Sequence, residues 1–103
     1  MAPADISTTI RKSADWTVGI RLLTSQSHVD LSAYTMQALI YGSSGNILRT
    51  LTGLQTATDC INFSMTHTET AALTKQSGAW EIWGTRVEDD LITLLVSGRA
   101  TIV

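Results

Sequence analysis

The chain has 103 residues and a formal net charge of −2, with 44% hydrophobic and 16% charged residues. This length predicts a single domain over residues 1–103 and excludes a multidomain enzyme, and the apolar composition excludes a disordered tail. The Lys and Arg residues are few and scattered, which argues against nucleic-acid binding, and no apolar run reaches the roughly 18 residues that a membrane span needs.

The N-terminal half of the chain predicts short strands joined by turns. Residues 6–10 and 16–22 alternate between apolar and polar side chains, as half-buried strands do. Residues 34–41 predict a further strand with apolar side chains at both parities. The turn-rich residues 42–46 contain a Gly-Asn pair suited to positive φ angles, and they lead into residues 47–52. This pattern predicts a β-hairpin.

The middle of the chain predicts one strand and one short helix. Residues 53–59 have the composition of a polar connection, and residues 61–65 alternate as a half-buried strand. The sequence Thr66-His67-Thr68-Glu69 has the spacing of a capping box, in which a Thr hydroxyl and a Glu carboxylate bond the free amides at a helix start. We therefore expect one short helical turn near residues 68–73.

The C-terminal third predicts a hairpin of longer strands. Residues 79–87 are expected to be extended, Glu88-Asp89-Asp90 to form a tight acidic turn, and residues 91–96 to form the most apolar strand. Gly98 predicts a bulge or bend, after which residues 100–103 continue extended. The result is about seven or eight short strands with turns roughly every 8 to 12 residues, which is typical of an all-β sandwich.

The apolar parity of these strands predicts the core. Trp83 is out of phase with Trp80, so we expect it at the surface, either in a protein interface or as a platform on which a sugar ring stacks. Both interpretations of Trp83 stay open. The predicted core comprises Trp16, Val18, Ile20, Leu22, Met36, Ala38, Ile40, Phe63, Met65, Leu73, Trp80, Ile82, Ile92, Leu94 and Val96.

No arrangement of reactive residues predicts an enzyme. Ser27, His28 and Asp30 stand too close together on an extended loop to align as nucleophile, base and orienting group. His28, His67 and Cys60 lack the short paired spacings of zinc sites, and Cys60 is expected to be a small packed side chain. We predict no catalytic residue, no metal site and no cofactor.

The acidic run at residues 88–90 also raises the question of a calcium site. Calcium needs six to eight oxygen ligands, and the run lacks the spaced Asp pattern that supplies them. A solvated hairpin turn is therefore the favoured interpretation.

The C-terminal strand predicts a contact surface. Residues 91–96 are apolar at both parities, although an antiparallel sandwich strand usually needs one apolar face, and the chain ends in an apolar strand with an open edge. A second copy or another protein is expected to cover this region. The alternative is that the N-terminal segment around Ile6 and Ile10 covers Leu91 and Leu95. The predicted interface residues are Leu91, Leu95, Trp83, Tyr41, Ile102 and Val103.

Several short motifs carry a family resemblance. They lie at residues 15–17 and 30–37, at residues 68–73 and 78–82, and at residues 94–100. Together they resemble small immunoglobulin-like β-sandwich proteins of tailed bacteriophages, in which turns of this kind open and connect the strands. The resemblance implies an immunoglobulin-like antiparallel β-sandwich.

The same resemblance implies a function. Such proteins are non-enzymatic structural parts of the virion: tail, baseplate or fibre accessories, or capsid decoration and cement subunits. It implies partners that are further copies of the chain or other capsid or tail proteins, and a homo-oligomer within the particle. Residues 1–12 lack the apolar segment of a secretory signal, and we expect synthesis in the host bacterial cytoplasm. The alternative is a carbohydrate-binding module of a host-adhesion device.

Overall fold

The computed structural model describes residues 4–21, 33–58 and 60–103, and these residues form nine strands and one helix. The helix α1, His67–Ala71, has five residues, and no helix of the described ranges is long and apolar enough to cross a membrane. The strands are β1 Ala4–Asp5, β2 Thr8–Ile10, β3 Trp16–Ile20, β4 Tyr34–Tyr41, β5 Ile47–Thr52, β6 Leu54–Ala57, β7 Cys60–Met65, β8 Gln76–Arg86 and β9 Ile92–Ile102.

The strands form a two-layer β-sandwich. Sheet A has the order β1-β9-β8-β4-β5, with β2 also paired to β9, and sheet B has the order β3-β7-β6. In the lettering of immunoglobulin domains, β3 to β9 take the places of strands B, C, C′, D, E, F and G, because G, F, C and C′ share one sheet and B, E and D the other. The predicted fold class is therefore confirmed.

The core lies between the two sheets. Val18 is half-buried and packs against it, whereas Leu22 lies outside the described residues. The core also takes in Ile10, Leu51, Ile61, Ala100 and Ile102, which were not predicted to be there. The predicted core residues confirmed as buried are Trp16, Ile20, Met36, Ala38, Ile40, Phe63, Met65, Leu73, Trp80, Ile82 and Val96.

A β-bulge in β9 interrupts the alternation of its side chains. Val96 pairs with Ile82 and Leu94 pairs with Trp83, so Leu95 is an extra residue with no partner on β8. An extra residue of this kind reverses the parity of the strand on one side of the bulge. The bulge therefore decides which apolar residues of β9 face the core.

Three predictions for this strand are wrong for that reason. Leu94 and Ile92, predicted as core, lie on the outer face of sheet A, and Ile92 is 63% exposed. Leu95, predicted as an interface residue, packs against the core beside Gly84. The bulge predicted at Gly98 lies three residues earlier in the chain.

The N-terminal arm, residues 4–12, extends sheet A. β1 and β2 pair in parallel with β9 at Val96–Ser97 and at residues 100–102. The apolar C-terminal strand is thus not the open edge that the sequence predicted over this stretch. Because the arm pairs with β9 at the edge of sheet A, it widens the sheet. It does not cover a face of the sheet, as the alternative prediction for Leu91 and Leu95 required.

The helix start and the turns follow local sequence chemistry. Thr66 and Glu69 form the predicted capping box: the Glu69 amide donates to the Thr66 hydroxyl, and the Thr66 amide donates to the Glu69 carboxylate. The predicted hairpin turn at residues 42–46 is confirmed, with Gly45 at φ 85°. The predicted acidic turn at residues 88–90 joins β8 to β9.

The polar connection predicted at residues 53–59 is wrong, because it contains β6. All four residues of β6 are exposed, and the strand lies at the edge of sheet B, paired with β7 alone. An edge strand without a buried face shows no alternation of apolar and polar residues, so hydrophobic periodicity does not reveal it.

Candidate functional site

The outer face of sheet A is the side of that sheet directed away from sheet B. Strand register places its side chains in rows that run across β4, β8 and β9. The rows are Tyr41, Ala79 and Arg99; Leu39, Glu81 and Ser97; Gln37, Trp83 and Leu94; and Thr35, Thr85 and Ile92. The described elements form two layers, and this face lies on the outside of one of them.

One end of the outer face is apolar. Trp83 and Leu94 are half-buried neighbours across β8 and β9, and Ile92 follows on the same face. Val87 and Leu91, on either side of the β8–β9 turn, are 62% and 53% exposed. We call these five residues the hairpin patch. Trp83, Leu94 and Ile92 share the outer face, and Val87 and Leu91 are exposed at the turn beside it. Exposed apolar side chains that lie together mark interaction sites more often than isolated ones do.

The turn beside the hairpin patch is held by a charged pair. The Arg86 guanidinium donates through Nε and one Nη to the two carboxylate oxygens of Asp89, at 2.9 and 2.6 Å. This contact lowers the pKa of Asp89 from its ordinary value and raises that of Arg86. The Asp89 carboxylate also accepts from the Leu91 amide at 3.3 Å. The central carboxylate of the acidic run therefore stabilises the turn, through its hydrogen bonds with Arg86 and with the Leu91 amide.

A carboxylate on the outer face is bonded to two aromatic side chains. Trp83 Nε1 donates to Glu81 Oε1 at 3.3 Å. The hydroxyl of Tyr41 also donates to the Glu81 carboxylate, which raises the Tyr41 pKa. Gln37 is exposed and lies across the strand pair from Trp83. An indole ring flanked by a carboxylate and an amide has the chemistry that recognises either a protein side chain or a sugar hydroxyl and its C–H face.

The predicted interface residues separate into two groups. Trp83 and Tyr41 lie on the outer face, and Leu91 is exposed at its end. Ile102 is 3% exposed and belongs to the core, so its side chain is not available for a contact and this prediction is corrected. Val103 is exposed and its backbone bonds the arm at Ile10 and Lys12.

Sequence analysis missed part of the hairpin patch. Ile92 and Leu94 were placed in the core because the bulge leaves no signature in a run that is apolar throughout. Val87 was predicted to end a strand directly before the acidic turn, but it was not named as an interface residue. A prediction of the bulge from the sequence would have moved Ile92 and Leu94 to the outer face.

Of the residues considered for catalysis or zinc binding, the structure describes only Cys60 and His67. Ser27, His28 and Asp30 lie outside the described residues. Cys60 is half-buried on β7, with its Sγ 3.5 Å from Asn62 Oδ1. Over residues 4–21, 33–58 and 60–103, no three His, Cys, Asp or Glu side chains come together as metal ligands.

The remaining histidine of the sequence analysis has a structural contact. The Asp15 carboxylate accepts from the His67 backbone amide at 2.6 Å and lies 3.2 Å from His67 Nδ1. A shallow cavity of about 260 Å³ opens beside this pair. Both side chains are largely exposed, and the carboxylate bonds an amide at the helix start. This contact therefore ties the loop before β3 to α1.

Comparison with known proteins adds no relative to this picture. No protein-family model and no curated protein matches the chain.

Proposed function

We propose that this protein is a non-enzymatic structural protein of a bacteriophage virion, a tail, baseplate or fibre accessory or a capsid decoration subunit. It acts through protein–protein contacts made by the hairpin patch. The observation that carries the proposal is that Trp83, Leu94 and Ile92 lie in two neighbouring rows on the outer face of sheet A. The resemblance of several short motifs to bacteriophage β-sandwich proteins is the reason for proposing that the chain is part of a virion.

The composition of the hairpin patch suits a protein partner. Interface cores are depleted in charged residues and enriched in aromatic ones, and the five patch residues are four aliphatic side chains and a tryptophan. The Arg86–Asp89 contact fixes the turn before binding, so little conformational entropy is lost when a partner docks. A rigid apolar surface of this kind docks without rearrangement of the backbone.

A matched pair of variants tests this proposal. Ile92→Lys places a charge in the hairpin patch, and Thr50→Lys places the same charge at an exposed position of β5 outside the patch. Tagged copies of each are produced in host cells that are assembling the particle, and the tag is quantified in purified particles. We expect Thr50→Lys to be incorporated like the wild type and Ile92→Lys to be lost.

Two results count against the proposal. Equal incorporation of both variants places the docking surface elsewhere than the hairpin patch. Absence of the wild-type chain from purified particles, established by mass spectrometry, removes the virion assignment itself. The position of the gene beside capsid or tail-fibre genes gives an independent check.

A carbohydrate-binding module is the second candidate, and the Tyr41–Glu81–Trp83 cluster favours it. Sugar recognition of this type requires an aromatic ring on which the sugar stacks, so glycan-array binding by the wild type would be retained in Trp83→Phe and abolished in Trp83→Ala. Absence of a glycan signal from the wild type, together with incorporation into particles, selects the structural role.

A further inference from the structure

The N-terminal arm is attached to the domain by few side chains. β1 and β2 contribute five residues to sheet A, and their strand pairing involves β9 alone. Ile10 is the one arm residue in the core, at 0% exposure, while Ala4, Asp5 and Ile6 are exposed. Backbone hydrogen bonds therefore provide most of the attachment, and these do not depend on which copy of the chain supplies the arm.

The groove that receives the arm is built around a buried donor. Trp80 is fully buried, and its Nε1 donates to the Ile6 carbonyl at 2.6 Å. Gly98 makes this possible, because a Cβ at that position would lie 2.0 Å from the Ile6 oxygen. Trp16 Nε1 donates in the same way to the Thr8 hydroxyl at 3.1 Å. Without an arm the Trp80 donor is left buried and unpaired, which is costly, so the groove requires an occupant.

The arm joins the body of the domain through a strained pivot. Lys12 still bonds the Val103 carbonyl, and the chain is fixed again at Ala14, whose carbonyl accepts from the buried Thr70 hydroxyl at 2.8 Å. Between them Ser13 has φ 64°, in the left-handed region that favours glycine. Rotation of this single residue to an ordinary extended angle would relieve the strain and swing the arm away from its own β9.

We propose that the arm exchanges between two copies of this chain, with residues 4–12 of each copy occupying the β9 groove of the other. Every contact between the arm and the groove is then re-formed, since the Trp80 donor, the space at Gly98 and the core position of Ile10 are identical in both copies. The strain at Ser13 is released, and the Ala14–Arg11 backbone hydrogen bond across the pivot is lost. Reciprocal exchange closes on a two-fold axis and leaves no groove empty. The exchange uses a different surface from the hairpin patch, so either proposal can fail without the other.

A disulfide that reports which copy supplies the arm tests the exchange. Asp5 and Ser97 are register partners, so Asp5→Cys with Ser97→Cys, in a Cys60→Ser background, places two thiols across the junction of arm and groove. In a closed monomer the bond forms within one chain, and in the exchanged pair it links two chains. After refolding at increasing protein concentration and air oxidation, we expect a band of two chains on a non-reducing gel that grows with protein concentration and disappears on reduction. A two-chain mass in solution with bonds confined to single chains overturns the proposal.

Two variants of the pivot provide the matched comparison. Proline cannot adopt φ 64°, so Ser13→Pro opens the pivot, whereas Ser13→Gly relaxes the closed form without opening it. We expect a two-chain fraction, measured by light scattering, that is several-fold larger for Ser13→Pro than for Ser13→Gly. A one-chain mass at every concentration for the wild type and Ser13→Gly, and for Ser13→Pro wherever circular dichroism shows it folded, overturns the proposal.

Discussion

Trp16 on β3 meets Trp80 on β8 edge to face, with ring centroids 6.1 Å apart and planes inclined at 83°. The two residues join sheet B to sheet A at the strands that a disulfide links in antibody domains. Each indole also donates to the N-terminal arm, Trp16 to Thr8 and Trp80 to Ile6. The aromatic pair therefore connects three parts of the sandwich without a covalent bond.

Replacement of Trp80 by phenylalanine removes both volume and the donor to Ile6. We expect Trp80→Phe to lower the free energy of unfolding by about 2 kcal/mol, from a partly filled core and a lost hydrogen bond. The same change at half-buried Trp83 is expected to cost less. Urea denaturation followed by circular dichroism measures both, and equal midpoints for the two variants would show that the buried bond contributes little.

Gly98 is expected to accept no side chain. In Gly98→Ala the new Cβ would clash with the Ile6 carbonyl, so the arm must leave the groove. Hydrogen exchange of the amides at residues 6–10 should then become fast, while β4 and β8 keep their protection. Ser97→Ala, one residue earlier, provides the control, and unchanged protection of the arm in Gly98→Ala would contradict the close approach.

Because of the bulge in β9, a lysine at position 95 and a lysine at position 92 are expected to differ in their effect on the free energy of unfolding. Leu95→Lys directs a charge toward the core and should lower the free energy of unfolding by about 2 kcal/mol. Ile92→Lys, at a position that is already exposed, should change it by less than about 0.5 kcal/mol. Thermal melts of the two variants check the assignment, and the reverse order of stability would mean that the side chains alternate as the sequence predicted.

The capping box gives the domain a component of stability that depends on pH. Hydrogen bonds from the Thr66 backbone amide and side chain lower the pKa of Glu69 from 4.5. Because the folded state has the lower pKa, the ionised carboxylate stabilises the fold above about pH 4.5, and this contribution is lost as the pH falls through the folded value.

Glu69→Gln removes that component. We expect a lower urea midpoint than the wild type at neutral pH and a smaller difference between the two proteins at about pH 3. Glu88→Gln, in the β8–β9 turn, controls for the loss of one negative charge. A constant difference between wild type and Glu69→Gln across this range would show that the carboxylate does not need to be ionised.

Elements with local signals were predicted well. The bounds of β4 and β5 match the structure, because an apolar segment ends on each side of a turn-rich stretch that contains Gly45. The capping box at Thr66 placed α1 within two residues, since its hydrogen bonds join neighbours in the sequence. An element whose hydrogen bonds join residues close in the sequence can therefore be predicted from the sequence.

Features set by distant contacts were not predicted. The parallel pairing of β1 and β2 with β9 joins the two ends of the described chain, and no periodicity records it. The bulge at Leu95 lies in a run that is apolar on both sides, so a shift in parity leaves no trace there. Two of the five hairpin-patch residues, Ile92 and Leu94, were therefore assigned to the core, while Trp83 and Tyr41, which lie outside this run, were placed on the surface.

The parallel pairing of β2 with β9 also determines how the domain bears a mechanical load. A pull that separates residue 4 from residue 103 draws the two strands in opposite directions along their length. Their hydrogen bonds at residues 100–102 are then loaded together in shear, whereas an antiparallel terminal pair pulled from one end would unzip bond by bond. Tension along the chain is therefore resisted first by the pairing of β2 with β9, before it reaches Trp16 and Trp80 inside the sandwich.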